Sequence, residues 1–432
     1  KGTLSNAGTI STGDFTNNTE IINEGNISIT KDLTSTANIT GTGGKIQTTS
    51  LINKGTLINE GNISITKDLT STADITGTGT LRFTGTIDQI FTSNNKIYTK
   101  IIENKDGGSL TINGNCSIDS FTITKGTATT FSGSPKITTW SDVAGAGNLS
   151  FSNGATLSSD TEIKTSGSVN LAGTFTTADL TVTNGAATLN GTFSSDSLSF
   201  NKAVTLAGNT TITNSAASET VHFADAITGA SNSLSINTGA TQFDGTVSGL
   251  SSISTAAVTI NCASITSSGV QTYNGAITIS QNTILSASEI DFLATIGSSN
   301  KLTVNAPVFK SAASADNTIT LSEIEFAADT SIQTNTRKLT FDVTTISGTG
   351  KTISLSSGSK ADLKAGSIVS PAVSNSGTIT CIGAVTFNDA VVNTNGAITC
   401  NGAATFKGAY SGSGASLTLS SETSLFDSDP DL

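Results

Sequence analysis

Methionine is missing from this 432-residue chain, and histidine, tryptophan and arginine nearly so: there is one His, one Trp and two Arg, Arg82 and Arg337. Proline and cysteine number four each. Charge is scarce as well. Asp, Glu, Lys and Arg make up 12% of the residues, against ~25% in ordinary globular domains.

Each shortage excludes something. No apolar run approaches the ~18 residues of a membrane-spanning helix, so no membrane insertion is expected. The few basic residues are scattered, and the net charge is −11. Nothing supplies the basic stripe that nucleic acid requires. Charged heptads of a coiled coil are missing. The 43 glycines are too few for a collagen repeat. Disorder goes with few apolar residues, whereas 35% of this chain is hydrophobic and regularly spaced. A chain that starts at Lys1 without Met reads as a processed product or an internal piece of a longer one.

What the chain does contain is repetition, which decides the fold. The string INEGNISITKDLTSTANITGTG, from Ile22 to Gly43, returns from Ile58 to Gly79 with one change, Asn38 to Asp74. That offset of 36 is two units of 18. LAGTF at Leu171 returns as LNGTF at Leu189, and GTITCIGAVTF from Gly377 as GAITCNGAATF from Gly396. A looser unit recurs as FTGTI at Phe83, FADAI at Phe223, FDGTV at Phe243, YNGAI at Tyr273, FNDAV at Phe387 and FKGAY at Phe406. Early in the chain another unit dominates: LSNAGTI at Leu4, IINEGNI at Ile21, LINKGTL at Leu51 and LINEGNI at Leu57.

Within units, apolar residues alternate, as in Ile27-Ile29, Leu180-Val182, Leu234-Ile236 and Leu302-Val304. Period two means half-buried strands. Gly, Asn and Asp supply the turns between them. The nearest approach to a helical pattern, Ser288 to Thr295, is short. Short strands at an 18–19-residue period predict an all-β solenoid of parallel coils, three strands and three turns per coil. Ile, Val, Leu, Phe and Ala should stack inward, and Thr, Ser and Asn outward. Uncharged outward columns avoid stacking like charges. Roughly 18–23 coils at ~4.8 Å each imply about 90–110 Å. The competing reading is an antiparallel sandwich or propeller, for which Asn-Gly dipeptides such as those at Asn113, Asn184 and Asn274 would serve as hairpin turns.

The units at Leu4, Ile21, Leu51 and Leu57 resemble the apolar-x-Asn-x-Gly-x-Ile repeats of filamentous-haemagglutinin-like adhesins of Gram-negative bacteria. FNKAVTLAGNTTITN from Phe200, HFADAITGASNSLSINTGATQFDGTVSG from His222 and SSGVQTYNGAITISQNTIL from Ser267 resemble that family's longer, glycine-rich units. The resemblance implies a right-handed parallel β-helix with coils of about 18–24 residues, in line with the right-handed preference of parallel crossovers. It also implies export to the cell surface and a role as a stalk or adhesive surface. Residues 1–80 read as N-terminal coils carrying the 36-residue repeat, 81–426 as continuous β-helix and 427–432 as an acidic tail or linker. Neither a secretion domain nor a translocator barrel is visible.

Site candidates are few. Cys381 and Cys400 occupy equivalent places in consecutive 19-residue copies, so they should sit one above the other, within reach of a disulfide. With Cys116 and Cys262 they share the parity of inward neighbours. Core thiols are the first reading, a Cys381–Cys400 bridge the second, and zinc the last, since no CxxC or paired His accompanies them. His222 lies between Val221 and Phe223 on the opposite parity and is expected to face solvent. The acids Asp32, Asp68, Glu103, Asp160 and Asp244 are dispersed, which argues against the carboxylate cluster of a polysaccharide-cleaving β-helix. Asp427, Asp429 and Asp431 alternate like the start of a weak calcium loop, but no Gly or closing Glu follows. Thr-x-Thr at Thr122, Thr181 and Thr211 falls at irregular spacings, unlike an ice-binding face. Sequons such as Asn26 and Asn148 are unremarkable in so Asn- and Thr-rich a chain. No cofactor is expected.

The expectation is a non-enzymatic, extracellular β-helical rod that acts as the shaft or adhesive segment of a bacterial adhesin and meets a host or neighbouring-cell ligand. The alternative is a subunit of an extracellular fibre stacking on itself end to end, or on more of the same parent chain. A carbohydrate-active β-helix is the minor alternative.

Overall fold

The structure is a computed structural model and describes residues 3–41, 43–215, 217–311, 314–334, 336–364, 366–420 and 425–427. Among these, every regular element is a β-strand, and the strands pair in parallel as a β-solenoid of about 22 turns. The antiparallel alternative falls. Asn-Gly dipeptides mark corners of the coil instead: Asn395, with φ 54°, is one. The chain divides into two compact units, Lys1–Ser215 and Ala216–Leu432.

In the first unit, alternation builds the core directly. Strand Asn26–Ile29 buries Ile27 and Ile29 and turns Ser28 outward. Register then stacks Ile10, Ile27, Ile46, Ile63 and Leu81 into one inward column. Each buried aliphatic chain of this kind contributes about 1.5–3 kcal/mol, but only because a neighbouring turn covers it. The early turns use three short strands, and hydrogen bonds link residues 17 or 18 apart.

The Asn-x-Gly unit has a physical meaning that differs from its sequence reading. Asn was expected outward. Instead Asn6 and Asn23 point inward at the corner, and Asn6 Nδ2 donates to Asn23 Oδ1 at 2.8 Å and to the Asn26 carbonyl at 3.2 Å. Asn6 Oδ1 accepts from the Gly8 amide. The side chain thus satisfies corner backbone groups that the ladder leaves unpaired. The glycine two residues on is required by contact between turns. A Cβ on Gly25 would lie 2.0 Å from the Gly8 carbonyl oxygen, and one on Gly61 would lie 1.8 Å from that of Gly44.

Further along this unit, two of the three strands merge. Val169–Thr177 and Ala187–Ser195 run in register from Val169↔Ala187 to Thr176↔Ser194 and bend at Gly173 and Gly191. The expectation of three strands per coil fails here, because a positive-φ glycine turns the corner without breaking the ladder. Aromatic rings fill this core as a column, with Phe131–Phe151, Phe151–Phe175 and Phe175–Phe193 centroids 4.7, 5.8 and 5.1 Å apart.

The second unit uses the same devices with larger variation. Ser233–Phe243 and Ser252–Ile260 are long merged strands, while Ala372–Asn375, Thr378–Cys381 and Val385–Phe387 form a three-strand turn. The helix-like stretch Ser288–Thr295 carries strand Glu289–Phe292. An internal Asn ladder returns, with Asn375 Nδ2 donating to Asn393 Oδ1 at 2.8 Å. Turn length grows in the middle of this unit, where register partners lie 22 or 23 residues apart. The side chains there are not correspondingly larger. Phe292, Phe309 and Phe326 stack at 4.8 and 5.9 Å, and Phe387 and Phe406 at 5.0 Å. Among the described residues no aromatic pair spans the interval from Phe326 to Phe387. The longer perimeter leaves an apolar cavity of about 40 Å³, bordered by Phe326, Phe341, Ile353, Ala361, Leu363 and Val373.

Candidate functional site

Some outward positions of the first unit form uncharged columns. Thr111, Thr130, Ser150, Asn170, Thr188 and Thr205 follow one another in register over six turns, and Asn170 Nδ2 donates to Ser150 Oγ at 3.0 Å. The Thr-x-Thr residues do not share a column. Thr122 neighbours Ile102 and Ser141, Thr181 neighbours Glu162 and Ser199, and Thr211 neighbours Thr192.

Both units depart from the uncharged expectation, the first with Lys31–Asp14, Lys125–Asp106 and Lys164–Glu162, the second more densely. Lys301 lies 3.0 Å from Glu323 and 3.1 Å from Glu325, while Lys310 is 3.5 Å from both Glu289 and Asp291. Lys338 pairs with Asp362 and Lys364 with Asp342. Stacking opposite signs removes the like-charge cost that made charged columns unattractive. Half-exposed pairs of this kind are worth little individually. On the second unit, four successive corners open a polar groove of about 520 Å³, lined by Ser357, Ser376, Asn395 and Ser416 together with Gly358, Gly377, Gly396 and Gly414. Beneath it the Asn375–Asn393 ladder holds the corners, accepting from the Gly377 amide and donating to the carbonyls of Ala397 and Ser416.

His222 is on the outward face as expected, but it is half-buried and partnered. Its Nε2 lies 2.7 Å from Asp244 Oδ2, while Asp244 Oδ1 accepts from Gln242 at 2.9 Å and Asn261 at 3.1 Å. Partial burial works against the Asp244 charge, but the hydrogen bonds from His222, Gln242 and Asn261 outweigh it and hold the carboxyl below its ordinary range. The group is a hydrogen-bonded His–Asp pair with amide support. Among the described residues no hydroxyl or thiol bonds the other ring nitrogen of His222.

The acids are less uniform than their dispersal suggested. Asp32, Asp68 and Asp160 are exposed, and Asp68 accepts from the Ile90 amide at 2.8 Å. Glu103 is wholly buried in the first unit, two residues from buried Lys105 on strand Lys96–Lys105. Glu103 Oε2 accepts from Thr129 Oγ1 at 2.5 Å, and its Oε1 has no partner. Lys105 Nζ donates to the Ile87 carbonyl and to Gln89 Oε1, both at 2.7 Å. Burial pushes the Glu103 carboxyl up to about 7, against the Thr129 hydroxyl and the Lys105 charge. Burial likewise lowers Lys105, against Glu103 and Asp88. Parity was the signal that could have found this pair: Ile101, Glu103 and Lys105 alternate in step, so all three point inward.

Cys116, Cys262, Cys381 and Cys400 are all buried. Cys381 and Cys400 are register partners with Sγ atoms 3.1 Å apart, whereas Cys116 neighbours Lys96. Of the three tail aspartates only Asp427 is described, and it is exposed. Asp429 and Asp431 lie outside the described residues. Among the described residues no group of three or more His, Cys, Asp or Glu could hold a metal ion. No family model, curated protein or solved structure matches the chain.

Proposed function

We propose that this chain is a non-enzymatic, extracellular β-solenoid segment, the shaft or adhesive part of a bacterial surface or secreted adhesin of the filamentous-haemagglutinin-like kind. The observation that carries the reading is the set of uncharged hydroxyl and amide columns in register over successive turns, Thr111 to Thr205 among them. Such columns repeat one weak contact many times, so a multivalent ligand gains affinity by avidity. Continuous parallel ladders behind them resist bending and extension, which suits a spacer. The test is binding of the purified chain to host cells and to arrayed neutral glycans. Saturable binding that strengthens with ligand valency supports an adhesive segment. Absence of binding on every surface refutes it.

A second reading is end-to-end stacking, on further coils of a parent chain or on another subunit. Among the described residues, strands Leu4–Asn6, Thr9–Thr12 and Phe15–Asn17 each pair on one side, with Ile21–Asn23, Asn26–Ile29 and Asp32–Ser35, and Leu4 is 39% exposed. Such an edge is a template for another strand. Electron microscopy across a dilution series separates the two. Filaments that lengthen with concentration favour the fibre, and particles of constant length favour the shaft.

A further inference from the structure

Leu363, Cys381, Cys400 and Leu419 form one inward column over four successive turns of the second unit. Two of its members are cysteines, adjacent, in register and completely buried. Neighbouring parallel strands lie ~4.8 Å apart, inside the range of about 4.4–6.8 Å between Cα atoms that a disulfide accepts. The two sulfurs already approach to 3.1 Å. We propose that Cys381 and Cys400 are joined by a disulfide that staples two successive turns of the solenoid.

The place of the pair supports the assignment. Leu363, the register neighbour of Cys381, borders the apolar cavity, as does Ile379 on the same strand as Cys381. The staple therefore lies at the border of the under-filled stretch, joining 18- to 19-residue turns next to it. Cys116 and Cys262 have no such counterpart: Cys116 faces Lys96 in register, and the Cys262 thiol donates to the Ser264 carbonyl. They remain thiols.

The chemistry needs an oxidant, and a small-molecule disulfide suffices. One cysteine thiolate attacks a sulfur of that disulfide and expels one thiolate, leaving a mixed disulfide. The second cysteine thiolate attacks the protein sulfur of the mixed disulfide and expels the other. Two protein thiols become one disulfide, the reagent is reduced to two thiols, and the two protons leave with them. In the folded chain the adjacent Cys400 sulfur and burial hold the Cys381 thiol well above its ordinary range. Exchange therefore proceeds while these turns are open, and burial afterwards shields the bond from reductants.

The test is refolding of the full chain from the reduced, denatured state in a mixture of reduced and oxidised glutathione, followed by alkylation under denaturing, non-reducing conditions. Digestion at Asp389 cuts the chain between the two cysteines. The expected product is one pair of peptides linked through Cys381 and Cys400, with Cys116 and Cys262 alkylated. Four alkylated cysteines, a bridge to Cys116 or Cys262, or glutathione retained on Cys381 or Cys400 overturns the proposal. A second readout is amide hydrogen exchange in Thr378–Cys381 and Ala397–Cys400. Closing this short loop should slow exchange at least about tenfold in the oxidised chain relative to the reduced one. Equal rates in the two forms overturn the stapling role even where the bond is found.

Discussion

Replacing Glu103 by Gln tests the most unusual buried group in the first unit. The Glu103 carboxyl is 0% exposed and titrates near 7, against an ordinary value of 4.5. Between those two values the folded chain holds a proton that the unfolded chain has released. Folding is therefore favoured at low pH, and this stability is lost as pH rises from about 4.5 through about 7. The difference amounts to about 3 kcal/mol once the group is fully ionised. Gln keeps the shape and the acceptor for Thr129 Oγ1 but cannot ionise. The variant should exceed the native chain by less than about 1 kcal/mol near pH 5 and by about 3 kcal/mol near pH 8. Asp142, also buried and raised by burial, is present in both proteins and cancels in the comparison. Repeat arrays open locally, so the assay is amide exchange in Lys96–Lys105 and Ala128–Phe131, taken as the ratio of variant to native at each pH. Ratios that do not change between pH 5 and pH 8 would refute both the buried charge and the linkage argument.

Two further substitutions probe the corners. Gly61→Ala puts a Cβ 1.8 Å from the Gly44 carbonyl oxygen, which forces adjacent turns apart and should cost about 3–5 kcal/mol; a thermal transition within a degree of the native one counts against the close-contact reading. Asn375→Ala removes its bonds to Asn393, Gly377 and Ala397 and leaves buried partners unsatisfied, a loss of about 2–3 kcal/mol. Local exchange at Ala397–Cys400 should accelerate accordingly, and unchanged exchange removes the ladder from the list of stabilising devices.

Much of this architecture is legible from two numbers, the period of two and the repeat of 18 or 19. Parity placed Ile27 and Ile29 inward, and the 19-residue copies placed Cys381 over Cys400. What parity alone misses is chemistry that violates its residue classes. Asn6, Asn23, Asn375 and Asn393 look like surface residues because their side chains are polar, yet a corner exposes backbone groups that an inward amide can satisfy. Glu103 and Lys105 fit the inward parity but contradict the expectation that charge stays outside. The merging of strands at Gly173 and Gly191 is also hidden, since a glycine in a repeat reads as a break until its φ is known. The opposite-charge columns around Lys301 and Lys310 depend on register across 21 or 22 residues, which drifts as turn length changes along the chain.

That drift in turn length makes the stack uneven, and it sets where the solenoid opens first. Each turn is held mainly by its two neighbours, so stability is a sum of interface terms, with no single global core. Where turns span 17 or 18 residues, inward columns close completely, as at Ile27, Ile63 and Leu81. Where they span 22 or 23, aliphatic residues such as Ile353 and Leu363 border a void of about 40 Å³. At about 24 cal/mol per Å³, that void costs about 1 kcal/mol in the turns around it. Strands Thr330–Thr334, Thr352–Leu355 and Lys360–Leu363 should therefore exchange their amides faster than the aromatic-filled strands Val169–Thr177 and Ala187–Ser195. Ala361→Val adds volume facing the void and should recover up to about 1 kcal/mol there, slowing local exchange by as much as about fivefold. A slower variant with an unchanged first unit confirms that the deficit is local to the void. A destabilised variant means that the core around Ala361 is already full, and the link between turn length and packing fails with it.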